Sequence, residues 1–311
     1  MKKTIKVTTV FLFLITLLSC SNNSIFKIQK IDKNEIEITG YKNQKHINDE
    51  ITIVPERIGS KIVTAISERA FLHGKTISLP KTIKKIGEYG IVTPNNNQIY
   101  YDGTVADYCK IEVDSYLFQH GGQLYFLDEE NGQIEFNNKH YDEVRNMVIP
   151  DEITKLSSYL FAKLSNLESV TIGSGITKIP HDAFWHTDVN FKTIYIGENT
   201  IEIGNDAFYG CQSLETILMN DKLEIIGDRA LHACQLLKNT ILPKSLKYIG
   251  AKALPPAVDF YYSGSEEEWN NIEKGEEAIR TTTTIYFYSE NEPTISGNYW
   301  HYDSNNNIIV W

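Results

Sequence analysis

The sequence is short of positive charge and of methionine. Its 311 residues include 30 lysines and arginines against 40 acidic residues, a formal net charge of -10 at pH 7. An acidic chain repels phosphate backbones, which argues against nucleic acid as the main partner. Only 3 methionines stand against 18 tyrosines, and aromatic side chains favour pleated, half-buried surfaces. The composition therefore indicates a β-rich globular protein long enough for one large domain or two small ones.

The sequence also lacks the clustered residues that catalysis or metal binding requires. His181 and His186 lie in a variable outer loop, where solvated histidines are expected rather than metal ligands. The segment Gly173–Gly175 has neither nucleophile-elbow nor phosphate-loop spacing. The carboxylate runs Asp128–Glu130 and Glu266–Glu268 lack the alternating oxygen ligands and glycine of a calcium loop. We therefore predict no catalytic residue, no metal site and no cofactor.

The first twenty residues have the layout of an export signal. Three lysines precede a mostly apolar run of about a dozen residues, Val7–Leu18, which is too short to span a bilayer comfortably. The run ends in Leu-Leu-Ser-Cys at Cys20, which resembles the lipobox of bacterial lipoproteins. The resemblance implies a signal peptide at 1–19 and several acyl chains on Cys20, enough for stable anchoring. A plain secretory peptide or a buried apolar strand is the alternative.

Three cysteines remain after Cys20, and an odd number excludes a complete disulfide framework. Cys109, Cys211 and Cys234 are expected to be structural. Cys211 and Cys234 occupy the same place in successive repeats, so a bridge between them stays open as a less favoured alternative.

A repeat of 23 to 24 residues organises the chain. Five dipeptides start 23, 24, 23 and 23 residues apart: Leu160-Phe161, Ala183-Phe184, Ala207-Phe208, Ala230-Leu231 and Ala253-Leu254. Segments such as Val170–Ile172 alternate apolar and polar residues as a strand does. One repeat, or rung, cannot bury its apolar edge alone, but rungs stacked about 4.8 Å apart share one core. The Ile-Gly steps, as at Ile226-Gly227, suit a corner where no Cβ fits or a positive φ is needed.

The frame of Ile-Pro, Ile-Gly, Ala-Phe and Cys, with a leucine opening the next strand, resembles the BspA-like (Treponema-type) leucine-rich repeats of bacterial surface proteins. Departures include Ser157 and Pro180 at the corner glycine and Thr200 at an apolar place. The resemblance covers nearly all of the chain after residue 35. It implies a leucine-rich-repeat-type solenoid, a β-rich parallel strand ladder with short loops or helical turns on the outer side.

Two aromatic segments of matching spacing divide the repeats into two capped modules. Phe260–Tyr262 leads through Trp269 to Ile272, as Ile99–Tyr101 leads through Tyr108 to Ile111. The run Glu266–Glu268 is expected to open a short helix, where negative charge suits the N-terminus. Hairpins are expected beyond each cap, from Leu124–Leu127 to Ile134 and from Tyr299–Tyr302 to Trp311. The predicted domains are the polar tether and N-terminal capping strand at 20–46, the modules at 47–142 and 143–290, and a hairpin tail at 291–311.

Aligning the rungs gives a candidate binding strip on the outward side of the strands. Its five members are Val148, Thr171, Tyr195, Leu218 and Ile241, and its neighbouring column is polar: Asn146, Ser169, Thr193, Thr216 and Asn239. Apolar strips with polar rims often mark contact sites. Alternatively, these side chains only stabilise adjacent strands, by about 0.2–1 kcal/mol per pair. A register slip of one residue would turn every side chain to the other face.

The family resemblance implies surface display and adhesion. We therefore expect a lipid-anchored cell-envelope binding protein whose partner is a protein or cell-surface ligand, such as a host or matrix protein. The expected location is the outer membrane or cell surface, with the periplasmic face left open. A glycan-capturing lipoprotein, with tyrosine and tryptophan stacked on sugar rings, and a periplasmic structural scaffold are the alternatives.

Overall fold

The computed structural model describes residues 25–46, 50–71, 76–91, 97–118, 121–187 and 190–311. They belong to two compact units, unit 1 (Met1–Arg145 with Ser157–Leu167) and unit 2 (Asn146–Leu156 with Glu168–Trp311). The predicted signal peptide and Cys20 lie outside the described residues. Across the described ranges, no helix has the length and apolar character needed to cross a membrane.

Unit 1 is built mainly of short strands with one α-helix and one 3-10 turn in its described residues. They are β1 Phe26–Lys30, β2 Glu35–Tyr41, the 3-10 turn Gln44–His46, β3 Ile51–Ile53, β4 Arg57–Ile58, β5 Lys61–Ile66, β6 Thr76–Leu79, β7 Lys85–Ile86, β8 Asn97–Tyr101, α1 Val105–Tyr108, β9 Glu112–Val113, β10 Gly122–Leu127, β11 Ile134–Phe136 and β12 Lys139–Glu143. One sheet has the order β1-β2-β5-β7-β9, with β4 beside β5, and the other has the order β11-β12-β10-β8-β6-β3.

Unit 2 repeats this plan with shorter strands. They are β13 Asn146–Val148, β14 Ser169–Thr171, β15 Lys178–Ile179, β16 Thr193–Tyr195, β17 Glu202–Ile203, β18 Thr216–Leu218, β19 Ile225–Ile226, β20 Thr240–Leu242, β21 Tyr248–Ile249, β22 Phe260–Tyr262, α2 Glu266–Asn270, β23 Glu273–Lys274, β24 Ile285–Tyr288, β25 Tyr299–Tyr302 and β26 Ile308–Val310. The sheet orders are β13-β14-β16-β18, β15-β17-β19-β21-β23 and β20-β22-β24-β25-β26.

Each rung is joined to the next by parallel backbone hydrogen bonding. Residue pairs such as Val170↔Ile194 and Ile203↔Ile226 lie directly beside each other in the ladders. The Ala-Phe step continues the ladder, because the Phe208 N–H donates to the Ala230 carbonyl over 2.9 Å. Inside, Phe184 and Phe208 stack at 5.3 Å between ring centroids. The predicted parallel-strand solenoid is confirmed.

The corner glycines are required by lack of space. A Cβ on Gly227 would lie 2.7 Å from the Asn205 backbone nitrogen, closer than a carbon atom can approach a nonbonded nitrogen without steric clash. The positive φ falls two residues later instead, at Arg229 (53°), and likewise at Asp206 (55°) after Gly204. The sequence left both explanations of the Ile-Gly step open, and the close approach of the neighbouring rung decides between them.

The predicted helix at Glu266–Glu268 forms. Ser265 caps α2, accepting a hydrogen bond from the Glu268 N–H while the Glu268 carboxylate accepts from the Ser265 N–H. Thr104 and Asp107 build the same capping box on α1. Each helix buries one aromatic ring, Tyr108 in α1 and Trp269 in α2. Both aromatic segments therefore contribute a side chain to the apolar interior.

The first predicted hairpin has the wrong partner. We expected Leu124–Leu127 to pair with the strand from Ile134, but β11 pairs with β12, and β12 lies between β11 and β10. Asn137 and Asn138 both adopt positive φ (50° and 58°), which suits a tight two-residue turn. This turn reverses the chain later than the sequence suggested, after β11 rather than before it. The second hairpin, β25 with β26, forms as predicted, and the module boundaries stay predictions.

Gly227→Ala should lower the free energy of unfolding by about 1–3 kcal/mol, because the added methyl group overpacks the corner against the neighbouring rung. Chemical denaturation of this variant and of Lys244→Ala, an exposed control, measures the effect. The control should change stability by about 0.5 kcal/mol or less. Equal midpoints for both variants would show that the corner tolerates a Cβ.

Candidate binding face

Four members of the predicted strip form one straight column in unit 2. Val148 lies beside Thr171, Thr171 beside Tyr195, and Tyr195 beside Leu218 in successive parallel pairs. Val148, Tyr195 and Leu218 are 62%, 43% and 49% exposed, and Thr171 is exposed too. The predicted register is correct, because Met147, Val170, Ile194 and Ile217 between them point inward and are buried. We call Val148, Thr171, Tyr195 and Leu218 the ladder strip.

Ile241 does not belong to the ladder strip. It is half-buried in β20, which pairs with β22 and places Ile241 beside Tyr261; the described ladders include no pairing of β20 with β18. Asn239, which precedes β20, has a φ of 48° and so leaves the extended conformation that its counterparts Ser169, Thr193 and Thr216 adopt. Ile241 is therefore left out of the ladder strip, and its place in the predicted binding strip stays a prediction.

Polar and paired groups line the side of the ladder strip where its strands begin. The Ser169 hydroxyl donates to Asn146 Oδ1 over 2.6 Å. Lys238 Nζ lies 2.9 Å from Glu215 Oε2, and this hydrogen bond and charge hold the pKa of Glu215 below its usual value. Charges on this side are largely compensated.

The side where the strands end carries carboxylates instead. Asp151, Glu198 and Asp221 each follow a member of the ladder strip by three residues, and all three are exposed. The Ser174 N–H donates to Asp151 Oδ1 over 2.7 Å and lowers the pKa of that carboxyl group. Among the described residues, none of the three carboxylates lies within ion-pair distance of a basic side chain. The acidic flank, Asp151, Glu198 and Asp221, was not recognised from the sequence, although its spacing of three from the strip was visible there.

The corresponding outward column of unit 1 is covered by the chain itself. Tyr100 and Tyr125 are adjacent in the ladder and stack at 4.7 Å between centroids. The β11–β12 hairpin places Phe136 on Tyr100 at 4.0 Å and Tyr141 edge-on at 5.0 Å. Tyr100 and Tyr125 are each only 4% exposed, and burial raises the pKa of Tyr100 to about 12.

Asp102, at the carboxyl end of β8, holds the β11–β12 hairpin in place. Lys139 Nζ lies 2.6 Å from Asp102 Oδ2, and the Tyr141 hydroxyl donates to Asp102 Oδ1 over 2.6 Å. Charge-assisted bonds of this kind are stronger than neutral ones. The covering hairpin thus combines aromatic contact with a cation placed on a carboxylate.

The last strands of unit 2 are covered in a related way. Tyr261 and Tyr286 stack at 5.2 Å, and Trp300 packs edge-on against Tyr261 at 5.7 Å. Trp300 is fully buried, and its indole Nε1 donates to the Tyr262 carbonyl over 2.9 Å. Trp269 is buried as well. These two tryptophans, on which the glycan alternative partly depended, therefore present no free ring face.

The three described cysteines are unbridged and buried. The Cys211 thiol donates to the Phe184 carbonyl over 3.1 Å and the Cys234 thiol to the Phe208 carbonyl over 3.2 Å. Burial raises the pKa of Cys109 and of Cys234 to about 12. The alternative of a Cys211–Cys234 bridge is therefore wrong, because each sulfur instead bonds a backbone carbonyl.

His181 and Asp182 interact with each other at 2.8 Å, and His181 is exposed. Within the ranges that the structure covers, no group of three or more histidine, cysteine, aspartate or glutamate side chains is arranged to hold a metal ion.

The strand ladders define the class of fold, a parallel β-solenoid of short repeats. Residues 132–256 match the family model described as BspA type Leucine rich repeat region, in six copies. This segment is a BspA-type leucine-rich repeat region, as its frame predicted, although the match is shorter than the predicted extent of the resemblance.

Three solved structures illustrate what the comparison found. The T. pallidum leucine rich repeat protein is 16% identical, with 86% of each chain covered and a TM-score of 0.25. A leucine-rich repeat protein from Bacteroides ovatus ATCC 8483 is 15% identical, covering 85% of this chain and 98% of that one, with a TM-score of 0.33. The pneumococcal vaccine antigen PcpA is 15% identical, covering 87% and 93%, with a TM-score of 0.27. These superpositions are poor, so the assignment rests on the family match and the ladders. No curated protein sequence matches the chain.

Cys109, Cys211 and Cys234 should resist 5,5′-dithiobis(2-nitrobenzoate) at pH 8 in the folded protein and all react in denaturant. Burial raises the thiol pKa above that of an unfolded cysteine, about 8.5. Burying the neutral thiols therefore makes its full contribution to the free energy of unfolding below that pH. It is lost as the pH rises toward the folded pKa of about 12. Fast labelling of the folded protein, or fewer than three reactive thiols at these positions after unfolding, would contradict burial as free thiols.

Proposed function

We propose that this chain is an exported, lipid-anchored envelope protein that binds a protein partner through the ladder strip and catalyses no reaction. The observation that carries the proposal is the open column of Val148, Tyr195 and Leu218 on a ladder whose corresponding columns elsewhere are covered. Family kinship supports surface display and adhesion as the context.

The ladder strip suits protein binding because it is both apolar and rigid. Covering a fully exposed side chain of this size contributes about 1.5–3 kcal/mol, and central aromatic and aliphatic anchors commonly dominate interfaces. The inward neighbours Ile194 and Ile217 are fixed in the core, so little backbone ordering is needed on binding. Cross-strand packing alone would not account for the contrast with Tyr100 and Tyr125, which make the same ladder contact but are covered.

A glycan ligand is the second candidate, favoured by an open groove of about 630 Å³ in unit 2. The exposed Ile201 lies in it, and the polar lining residues, which include Asp221 of the acidic flank, are Ser174, Thr177, Asn199, Asp221, Lys222, Glu224 and Ser245. Hydroxyl, amide and carboxylate groups around one apolar side chain could receive a sugar. A glycan array probed with the purified protein tests this candidate, and absence of binding to every glycan on the array would exclude it.

The alternative of a periplasmic scaffold is tested by protease treatment of intact cells, which a periplasmic protein survives.

The double variant Tyr195→Glu with Leu218→Glu should abolish crosslinking to the partner while changing the melting temperature little. Both side chains are already exposed, and carboxylates at an apolar contact must be desolvated on binding. A photo-crosslinking amino acid is placed at position 171 of the protein on the cell surface, and the yield of crosslinked partner is measured. Leu236→Glu, at a site 51% exposed outside the strip, is the matched control and should crosslink normally. Undiminished crosslinking in the double variant would remove the strip from the binding site.

Cys20→Ala should block lipidation, so that the precursor keeps residues 1–19 and globomycin no longer changes its processing. Mass spectrometry of the membrane fraction measures the mature N-terminus. Metabolic labelling with an alkyne fatty acid should mark the parent protein and not the variant. Mature proteins that differ in mass only by the Cys-to-Ala replacement would disprove the anchor and leave the ladder strip proposal unaffected.

A further inference from the structure

The covering hairpin of unit 1 shows what an outward column of this solenoid accepts. Phe136 lies flat on Tyr100, and three residues later Lys139 reaches the carboxylate of Asp102. Tyr141 adds an edge contact to the ring and a hydrogen bond to the same carboxylate. Aromatic contact and a cation on a strand-end carboxylate therefore come from one short segment.

The ladder strip offers the same two features, and the described residues include no aromatic ring stacked on Tyr195. Tyr302 of β25 lies close enough to Asp221 for this carboxylate to add to the effect of burial in raising the tyrosine pKa. Tyr195 holds the place in its strand that Tyr100 holds in β8, between two inward residues. Carboxylates follow the strands, as Asp102 follows β8: Glu198 after Tyr195 and Asp221 after Leu218. The side where the strands begin is compensated by pairs such as Lys238 with Glu215. Lys222 lies on the other side of the strip, with its Nζ 2.6 Å from Asn199 Oδ1, so the three carboxylates of the acidic flank outnumber this one cation. The net charge there is negative, on the side where Asp102 lies in unit 1.

We propose that the ladder strip takes a basic, aromatic protein segment, with an aromatic side chain on Tyr195 and Leu218 and a lysine or arginine on Glu198 and Asp221. The inference rests on the proposed function and narrows its partner class. Charge complementarity supports it, because the acidic flank and the net charge of -10 attract cationic segments and repel acidic ones. An acidic segment would bring a carboxylate beside Asp221.

The test uses a fluorescent, head-to-tail cyclised peptide of residues 134–143 in which Glu135, Asp142 and Glu143 are replaced by threonine. Phe136, Lys139 and Tyr141 are retained. A second peptide is identical except for Lys139→Glu. Fluorescence anisotropy with the full exported chain should give binding of the lysine peptide, weakened by salt. The glutamate peptide should bind at least about tenfold more weakly.

Charge reversal in the protein provides the reciprocal arm. Glu198→Lys with Asp221→Lys should invert the preference, so that the glutamate peptide binds better than the lysine peptide. Glu290→Lys with Glu292→Lys changes the net charge equally at two exposed positions outside the strip and should leave the preference intact. Tyr195→Glu should remove binding of both peptides.

Equal affinity for the two peptides, absence of binding, or binding that survives Tyr195→Glu would each overturn the proposal. Self-association that Tyr195→Glu abolishes would identify a second copy of the chain as the occupant and overturn it as well. Failure of this inference and failure of the proposed function give different results. If the Tyr195→Glu, Leu218→Glu variant loses its crosslinked partner while the peptides show no preference, the strip binds protein but does not select for basic segments.

Discussion

Parallel backbone hydrogen bonding between successive rungs is the constraint on which the rest of this structure depends. The Gly227 N–H donates to the Ile203 carbonyl over 2.8 Å, and the Gly250 N–H donates to the Ile226 carbonyl over 2.7 Å. Such ladders hold in register only if every rung has nearly the same length, which explains the repeat of 23 to 24 residues. Because the rungs are in register, side chains at the same repeat position form a column across the strands. The surface of this protein is therefore best described column by column.

Outward columns that are apolar must be covered or must bind something, because exposed apolar area on a flat ladder favours association. The chain covers one such column with the β11–β12 hairpin and another with Trp300. The ladder strip lies on β13, β14, β16 and β18, and in the described part of the chain no hairpin pairs with that sheet. The contrast between Tyr100, covered at 4% exposure, and Tyr195, open at 43%, is the physical basis for the proposed binding face.

Local spacing was enough to predict the repeat, the corner glycines and the inward or outward direction of Tyr195 and Leu218, because a period of two within a strand and of 23 between strands leaves little freedom. Local spacing was not enough to place β11. Its position depends on the turn at Asn137 and Asn138 and on the stacking of Phe136 on Tyr100. The break in hydrogen bonding before Ile241 was not predicted, because a single left-handed residue before a strand interrupts a ladder without changing the spacing. The acidic flank was missed because the residues that end the strands look like ordinary solvated loop residues until the rungs are stacked.

Hydroxyl-radical footprinting of the protein, purified and in place on intact cells, tests the central claim most directly. In the purified protein Tyr195 and Leu218 should oxidise readily, whereas Tyr100 and Tyr125 should be protected by the covering hairpin. On cells, oxidation of Tyr195 and Leu218 should fall sharply while that of exposed Leu236 stays the same. Equal oxidation of Tyr195 and Leu218 in both settings, with the partner present, would show that the ladder strip is an exposed surface and not a binding face.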